Sequence, residues 1–207
     1  MPGLPTIKAK NYLVMNMKTK QIFHARYKSK PKQIASLTKI MTLYCCLLLE
    51  KEFKINTQES FVQCSQNAYN LGGTTACLSE GDQLKVEDLY YGMMLPSGND
   101  AAYTLAEFYG GHLRLAYQYG TYNKKWHKSD PGIRRQLRRS LNCFLYFMNR
   151  EVRKLKMKNT NFVNSHGLAN AKNYSTVEDM SLLCIKAWKV AKFRKICQTK
   201  FYWGRVK

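Results

Sequence analysis

Two short groups of residues in this sequence carry side chains suited to acyl-transfer chemistry. The first is Ser36-Leu37-Thr38-Lys39, and the second, about sixty residues further along, is Ser97-Gly98-Asn99. A serine hydroxyl is a weak nucleophile unless a nearby base takes its proton. A lysine is that base when burial or a neighbouring cation lowers the pKa of its amine. This pairing predicts covalent catalysis with Ser36 as the nucleophile and Lys39 as its base.

A long helix is predicted to position the first group. Ala35 to Lys51 is largely apolar and contains no Gly or Pro, and its length favours a helix over a strand. The spacing of Ser36 and Lys39, i to i+3, puts both side chains on one face. The positive potential of a helix N-terminus would stabilise an oxyanion and disfavour a charged lysine. The tetrapeptide alone is better explained by a capping serine followed by an exposed lysine, so the second group decides the interpretation.

The second group lies in a predicted turn between two helices, Val86 to Leu95 and Asp100 to Tyr109. We expect Asp100 to cap the later helix and Gly110-Gly111 to end it. A hydroxyl and a carboxamide on either side of a glycine can face one cleft, with Ser97 relaying a proton and Asn99 binding a substrate amide. The simpler interpretation is that these three residues only form the turn.

The remaining pattern predicts one domain, residues 1–207, in which helices flank a sheet. Tyr12 to Met17 and Gln21 to Ala25 read as a β-hairpin, and Gln136 to Lys156 reads as a helix. Ser175-Thr176-Val177-Glu178 has the form of a capping box that starts a helix running to about Phe193.

The charge balance is strongly basic, with 34 Lys and Arg against 13 Asp and Glu and a net charge of +21. Such a surface attracts polyanions, although it also serves solubility. The longest apolar stretch, Ile40 to Leu49, is about half the length of a membrane span. The N-terminus lacks the apolar region of a secretory signal. Seven cysteines without a C-x-x-C pair fit neither a metal site nor a disulfide framework, and they weakly favour a reducing compartment.

The two groups, with their flanking residues, resemble the first two signature motifs of the low-molecular-mass penicillin-binding proteins. More narrowly, the sequence is similar to the serine-type D-alanyl-D-alanine carboxypeptidases of the S11 peptidase family, from about residue 9 to 195. An extra basic stretch near 115–140 interrupts the similarity. The stretches that carry it are Ala35–Thr42, Leu95–Ala102, Gly73–Ala76 with Glu80–Asp82, Lys158–Phe162, His166–Leu168 and Asn173–Thr176.

The resemblance implies an α/β (α+β) fold of the β-lactamase and penicillin-binding-protein type, with a helical region packed on an antiparallel sheet. It implies that Ser36 attacks the penultimate D-Ala carbonyl of a peptidoglycan pentapeptide, with Lys39 as the base, and that β-lactams trap the acyl-enzyme. Ser97 would relay the proton to the leaving amine and Asn99 would hold the substrate amide, without metal or cofactor. His166 is expected to be structural or substrate-positioning. Relatives are normally periplasmic or extracellular.

The family's third motif, Lys-Thr-Gly or Lys-Ser-Gly, is absent from this sequence. In relatives that strand binds the substrate carboxylate and gives one oxyanion-hole N–H. Loss of one such donor typically lowers a rate by ~100- to 1000-fold. We therefore expect an incomplete sheet with its C-terminal strands missing, an exposed edge on the N-terminal hairpin, and weakened activity.

Three alternatives stay open. A class A β-lactamase fits less well, because Arg138 stands where the E-x-x-L-N loop would need Glu before Leu141-Asn142. A penicillin-binding remnant without turnover would keep both motifs. A nucleic-acid-binding protein is suggested by Tyr117 to Arg139, where aromatic residues alternate with cations, although a solvated basic face explains this stretch more simply.

Overall fold

A computed structural model describes residues 7–119 and 139–207 of the chain. Within these residues there are seven α-helices, six short β-strands and one 3₁₀ turn, Ala35–Leu37. The helices are α1 Thr38–Phe53, α2 Gln66–Tyr69, α3 Val86–Met94, α4 Asn99–Gln118, α5 Ser140–Lys154, α6 Val177–Trp188 and α7 Ala191–Gln198.

The strands form three separate two-stranded antiparallel sheets. They are β1 Tyr12–Met15 with β2 Ile22–Arg26, β3 Lys32–Gln33 with β6 Tyr174–Ser175, and β4 Phe61–Gln63 with β5 Gln83–Lys85. The predicted N-terminal hairpin is therefore confirmed. Every residue of β2 is exposed, so one strand of this hairpin is uncovered in the described part of the chain. The predicted α/β class is confirmed, with the helices forming most of the core.

Helix α1 is the centre of the hydrophobic core. It contacts α3, α4, α5, α6 and α7, and residues such as Met41, Leu43, Cys45 and Leu49 are completely buried. Because it is surrounded by other helices, it is apolar around most of its circumference rather than along one stripe. Lys54 ends the helix in the left-handed conformation, with its N–H directed to the carbonyls of Glu50 and Lys51.

Helix α4 differs from the prediction at both ends. Gly110 and Gly111 do not end it, since the helix continues to Gln118. A Cβ on Gly110 would lie 2.0 Å from the carbonyl oxygen of Ser140, so this glycine lets the start of α5 approach α4 closely. Asp100 does not cap the helix either: the N-cap is Gly98, and the Asp100 carboxylate reaches other groups described below.

The last two helices also correct the prediction. The cap of α6 is Thr176, whose hydroxyl accepts from the N–H of Asp179. Glu178 does not complete a capping box, because its carboxylate pairs with Lys28 and Ser29 instead. The predicted single helix breaks after Trp188, and α7 begins at Ala191.

The predicted start of the preceding helix at Gln136 lies outside the described residues, and α5 is described from Ser140. Most of the basic stretch near 115–140 also lies outside them. In the parts of the chain that the structure covers, no helix is both long and apolar enough to cross a bilayer.

Candidate active site

Ser36 and Lys39 meet at the entrance of the central helix. Ser36 lies exposed in the 3₁₀ turn that leads directly into α1, and Lys39 lies in the first turn of α1, where only 2% of it is exposed. The Nζ atom of Lys39 is 3.1 Å from the Oγ atom of Ser36. The predicted pair is thus within hydrogen-bonding distance, with an accessible hydroxyl beside a buried amine.

Three acceptors surround the amine of Lys39. Besides Ser36 Oγ, they are Asn99 Oδ1 at 2.7 Å and the carbonyl oxygen of His166 at 2.7 Å. An ammonium group carries three N–H donors, so these contacts satisfy the charged form completely. In the neutral form, the lone pair of Nζ becomes available to accept the Ser36 proton.

Burial lowers the pKa of Lys39 to about 8, while the negative charge of Asp100 acts in the opposite direction. Burial, helped by the charge of Lys39, also lowers the pKa of His166 to about 4. The imidazole is therefore neutral at pH 7. The pKa of Lys39 lies close to neutral pH, which suits a group that must first accept and then return a proton.

Asn99 ends a turn that hydrogen bonds from the neighbouring loop, residues 72–74, hold in place beside Lys39. The N–H of Asn99 donates to the carbonyl of Thr74 at 2.8 Å, and the hydroxyl of Thr74 donates to the carbonyl of Ser97 at 2.6 Å. The side-chain amide of Asn99 donates to the carbonyl of Gly72 at 2.9 Å. Gly73 packs so closely on this side chain that a Cβ there would lie 2.7 Å from Asn99 Nδ2.

Ser97 lies in the same turn but is joined to the other residues only through the backbone. It adopts a positive φ of 61°, which is uncommon for a residue with a side chain. Within the described chain, its hydroxyl makes no hydrogen bond to Ser36, Lys39 or Asn99. Of the four predicted site residues, the structure therefore links three through side-chain hydrogen bonds and places the fourth two positions before Asn99.

A loop from far along the sequence closes the other side of Lys39. In addition to the His166 carbonyl, the carbonyl of Ser165 accepts from the hydroxyl of Thr42 on α1 at 2.6 Å. Gly167 has a φ of +94°, and a Cβ on it would lie 2.0 Å from the carbonyl oxygen of Ala35. This position therefore requires glycine. The His-Gly pair was visible in the sequence, but its contact with Lys39 uses a backbone atom, which no side-chain pattern reveals.

Asp100 is the site feature that sequence reasoning assigned to the wrong role. Its carboxylate is buried and accepts from the hydroxyl of Thr75 and from the backbone N–H groups of Ala76, Leu78 and Ala101, at 2.6 to 3.1 Å. It thus fixes residues 75–78 to the first turn of α4, beside Asn99. An aspartate in a first turn is normally interpreted as a helix-end residue, so the local sequence favoured the capping role.

The fold and this arrangement place the chain among proteins with a serine hydroxyl beside a buried lysine at the head of a core helix. A family model described as D-alanyl-D-alanine carboxypeptidase, Peptidase_S11, matches residues 1–127 and 136–203. The chain therefore belongs to the S11 D-alanyl-D-alanine carboxypeptidase family.

Individual relatives agree with this assignment. The chain is 30% identical over 201 residues to the D-alanyl-D-alanine carboxypeptidase of Streptomyces sp. strain K15, covering 96% of this chain and 60% of that protein. It is 26% identical over 191 residues to D-alanyl-D-alanine carboxypeptidase DacF of Bacillus subtilis, covering 92% of this chain and 42% of that protein. The chain thus spans only part of the length of these relatives.

Solved structures confirm the predicted fold type. The crystal structure of D-alanyl-D-alanine carboxypeptidase DacD from Francisella tularensis superimposes with a TM-score of 0.74 at 26% identity, covering 95% of this chain and 41% of that one. The Streptomyces K15 DD-transpeptidase superimposes with a TM-score of 0.75 at 28% identity, covering 95% of this chain and 66% of that one.

Proposed function

We propose that this chain carries the acylation machinery of a serine-type D-Ala-D-Ala carboxypeptidase, with Ser36 as the nucleophile and Lys39 as the general base. The observation that carries this proposal is the 3.1 Å contact between the exposed Ser36 hydroxyl and the Lys39 amine. Family membership supports the substrate class that we propose, peptidoglycan stem peptides that end in D-Ala-D-Ala. β-Lactams are the corresponding acylating inhibitors.

The proposed reaction has two stages. Ser36 Oγ attacks the carbonyl carbon of the penultimate D-Ala as its proton passes to Lys39 Nζ, giving a tetrahedral intermediate. The C–N bond then breaks, the Lys39 proton passes through the Ser97 hydroxyl to the leaving amine, and free D-Ala departs from a Ser36 ester. Water attacks this ester and Lys39 takes a proton from the water. The bond between the carbonyl carbon and Ser36 Oγ then breaks, Lys39 returns the proton to Oγ, and the shortened peptide is released as a carboxylic acid with Ser36 and Lys39 restored.

The protonation state of Lys39 limits the first stage. With a pKa of about 8, about one-tenth of the molecules hold the neutral amine at pH 7. This fraction is sufficient for catalysis, because the neutral form is regenerated by rapid proton exchange. An exposed lysine, with a pKa near 10.4, would supply the neutral amine in only about one molecule in 2,500 at pH 7.

The geometry of Asn99 supports the proposed substrate contact. A carboxamide nitrogen has two N–H donors, and Asn99 uses one for the carbonyl of Gly72. Within residues 7–119 and 139–207 the second has no acceptor, and in our proposal it donates to a substrate carbonyl. Because its oxygen is held by Lys39, the amide is fixed in one orientation, and substrate binding and base positioning depend on the same side chain.

Covalent labelling with a fluorescent penicillin tests this proposal. We expect label on the folded wild type and none on Ser36→Ala, while the matched variant Ser181→Ala, which removes a hydroxyl on α6, labels normally. Release of D-Ala from a synthetic peptide ending in D-Ala-D-Ala then separates an enzyme from a binding remnant, which would label without release. Absence of label on folded wild type would refute the proposal.

We also propose that residues 1–207 act as one domain and that the basic stretch near 115–140 contacts polyanions. The +21 charge supports the second proposal. A gel shift with DNA or RNA should weaken steeply with salt and disappear when Arg134, Arg135, Arg138 and Arg139 become Ala. Binding that survives these four substitutions would place the contact elsewhere.

A further inference from the structure

Asp100 is a buried carboxylate beside the site, and in the part of the chain that the structure describes no cation contacts it. Only 4% of the residue is exposed, and its four donors are one hydroxyl and three backbone N–H groups, all neutral. Within residues 7–119 and 139–207, no salt bridge joins it to Lys or Arg. A buried charge held only by neutral dipoles is expensive to maintain, so its retention calls for an explanation beyond fixing a turn.

Lys39 is the complementary buried charge. It is 2% exposed and its three hydrogen-bond acceptors are also neutral: a hydroxyl, a carboxamide and a carbonyl. Asp100 follows Asn99 directly in the chain, and Asn99 touches Lys39. Asn99 therefore connects the two buried charges, and the charge of Asp100 acts on Lys39 through space in surroundings that screen it weakly.

We infer that Asp100 is the positioning residue of this site, with one carboxylate that both fixes the loop holding Asn99 and supplies the negative charge that balances the buried ammonium of Lys39. This inference rests on the proposed function, because the charge of Asp100 matters for catalysis only if Lys39 is the base. Without this counter-charge the amine of Lys39 would be neutral more often, but it would be a weaker base and would accept the Ser36 proton less readily.

The charged and titratable groups around Lys39 are few in the described part of the chain. The 3₁₀ turn before α1 contributes the Ser36 hydroxyl, α4 contributes Asp100, and the closing loop contributes the ring of His166. The pKa of His166 is lowered to about 4, so this ring is neutral above about pH 5. Asp100 is the one acidic group that acts on Lys39 there, and its charge raises the pKa of Lys39 against the effect of burial.

Direct titration of Lys39 tests the inference without requiring activity. Protein labelled with ¹³C at the lysine Cε is titrated by NMR, and the Lys39 signal is assigned by its loss in Lys39→Arg. We expect Asp100→Asn to lower the Lys39 midpoint, so that the neutral fraction at pH 7 rises at least about threefold. The matched variant Asp88→Asn removes another buried carboxylate, one that accepts from the Tyr202 hydroxyl, and should leave the midpoint unchanged.

A third variant separates charge from loop positioning. Thr75→Val removes one hydrogen bond to Asp100 but keeps the charge, so we expect no shift of the Lys39 midpoint. If Asp100→Asn does not fold, because its amide would face backbone N–H groups, the smaller Asp100→Ser carries the same expectation. An unchanged midpoint in the neutral variant overturns the inference, and so does an equal shift in Thr75→Val or Asp88→Asn. Failure of the proposed function would appear separately, as absence of penicillin labelling at every pH.

Discussion

Replacing Asn99 with aspartate should sharply lower the neutral fraction of Lys39, the proposed general base. The Asn99 Oδ1 atom lies 2.7 Å from Lys39 Nζ, so Asn99→Asp puts a carboxylate oxygen in direct contact with the amine at almost unchanged volume. An opposite charge at this range typically raises the pKa of a cation by ~1–3 units. Starting from a pKa of about 8, the neutral fraction at pH 8 then falls by a factor of roughly 5 to 500.

The assay is the rate of acylation by a fluorescent penicillin, measured between about pH 6 and pH 11, where the lysine titrates. In the wild type the rate should rise about tenfold per pH unit and level off near the Lys39 midpoint. In Asn99→Asp the midpoint should move up by ~1–3 pH units. The midpoint is the decisive quantity, because a weakened substrate contact lowers the rate at every pH without moving it.

A matched control is Asn149→Asp. Asn149 also uses both ends of its amide, accepting from the N–H of Phe162 at 2.9 Å and donating to its carbonyl at 2.7 Å, but it does not touch Lys39. This variant should keep the wild-type midpoint even if its stability falls. A midpoint in Asn99→Asp at or below that of the wild type would show that Lys39 is not the titrating base.

Three further predictions concern stability. Gly167→Ala should lower the free energy of unfolding in urea by about 2 kcal/mol or more, because the new Cβ would combine a positive φ with a contact of 2.0 Å to the backbone. The control Gly72→Ala has a positive φ but open space around the Cβ, so it should lose only the smaller part that comes from backbone strain. Lys192→Met removes the cation that lies 2.8 Å from the half-buried Glu50 and 2.6 Å from the buried Glu87, and it should cost about 3 kcal/mol. Lys28→Met breaks a more exposed pair and should cost at most about 1 kcal/mol, so equal losses would contradict the burial argument. Because folding lowers the pKa of His166 to about 4, the unfolded chain binds more protons than the folded one between about pH 6.5 and pH 4. The free energy of unfolding should therefore decrease by up to about 3 kcal/mol as pH falls through this range. His166→Gln should lose less stability there, and an acid profile identical to that of the wild type would refute this.

The sequence predicted the helices well where no tertiary contact overrode the local pattern. Val86 to Leu95 is confirmed as α3 to within one residue, and the apolar run after Ser36 is confirmed as α1. The hairpin near the N-terminus was equally recognisable, because short apolar runs separated by polar residues are a local signal. Family membership, confirmed by the comparisons, was readable from the same two motifs.

Three of the errors share one physical cause: a residue that makes a tertiary contact resembles a local signal. Gly110 looked like a helix end, but it is small because α5 packs against it. Asp100 looked like a cap, but its carboxylate holds residues 75–78. Glu178 looked like half of a capping box, but it reaches Lys28, about 150 positions away in the chain.

By itself, the sequence determined the types and spacing of the reactive groups, since one helical turn places Lys39 beside Ser36 whatever surrounds them. The tertiary structure decided whether that lysine is buried or solvated and which acceptors it meets. The distant acceptors are Asn99 and His166, and the charge of Asp100 acts on Lys39 through space. The pKa of an amine depends on its surroundings in space. The sequence could therefore predict which residue is the candidate base, but only the fold shows that burial lowers its pKa to about 8.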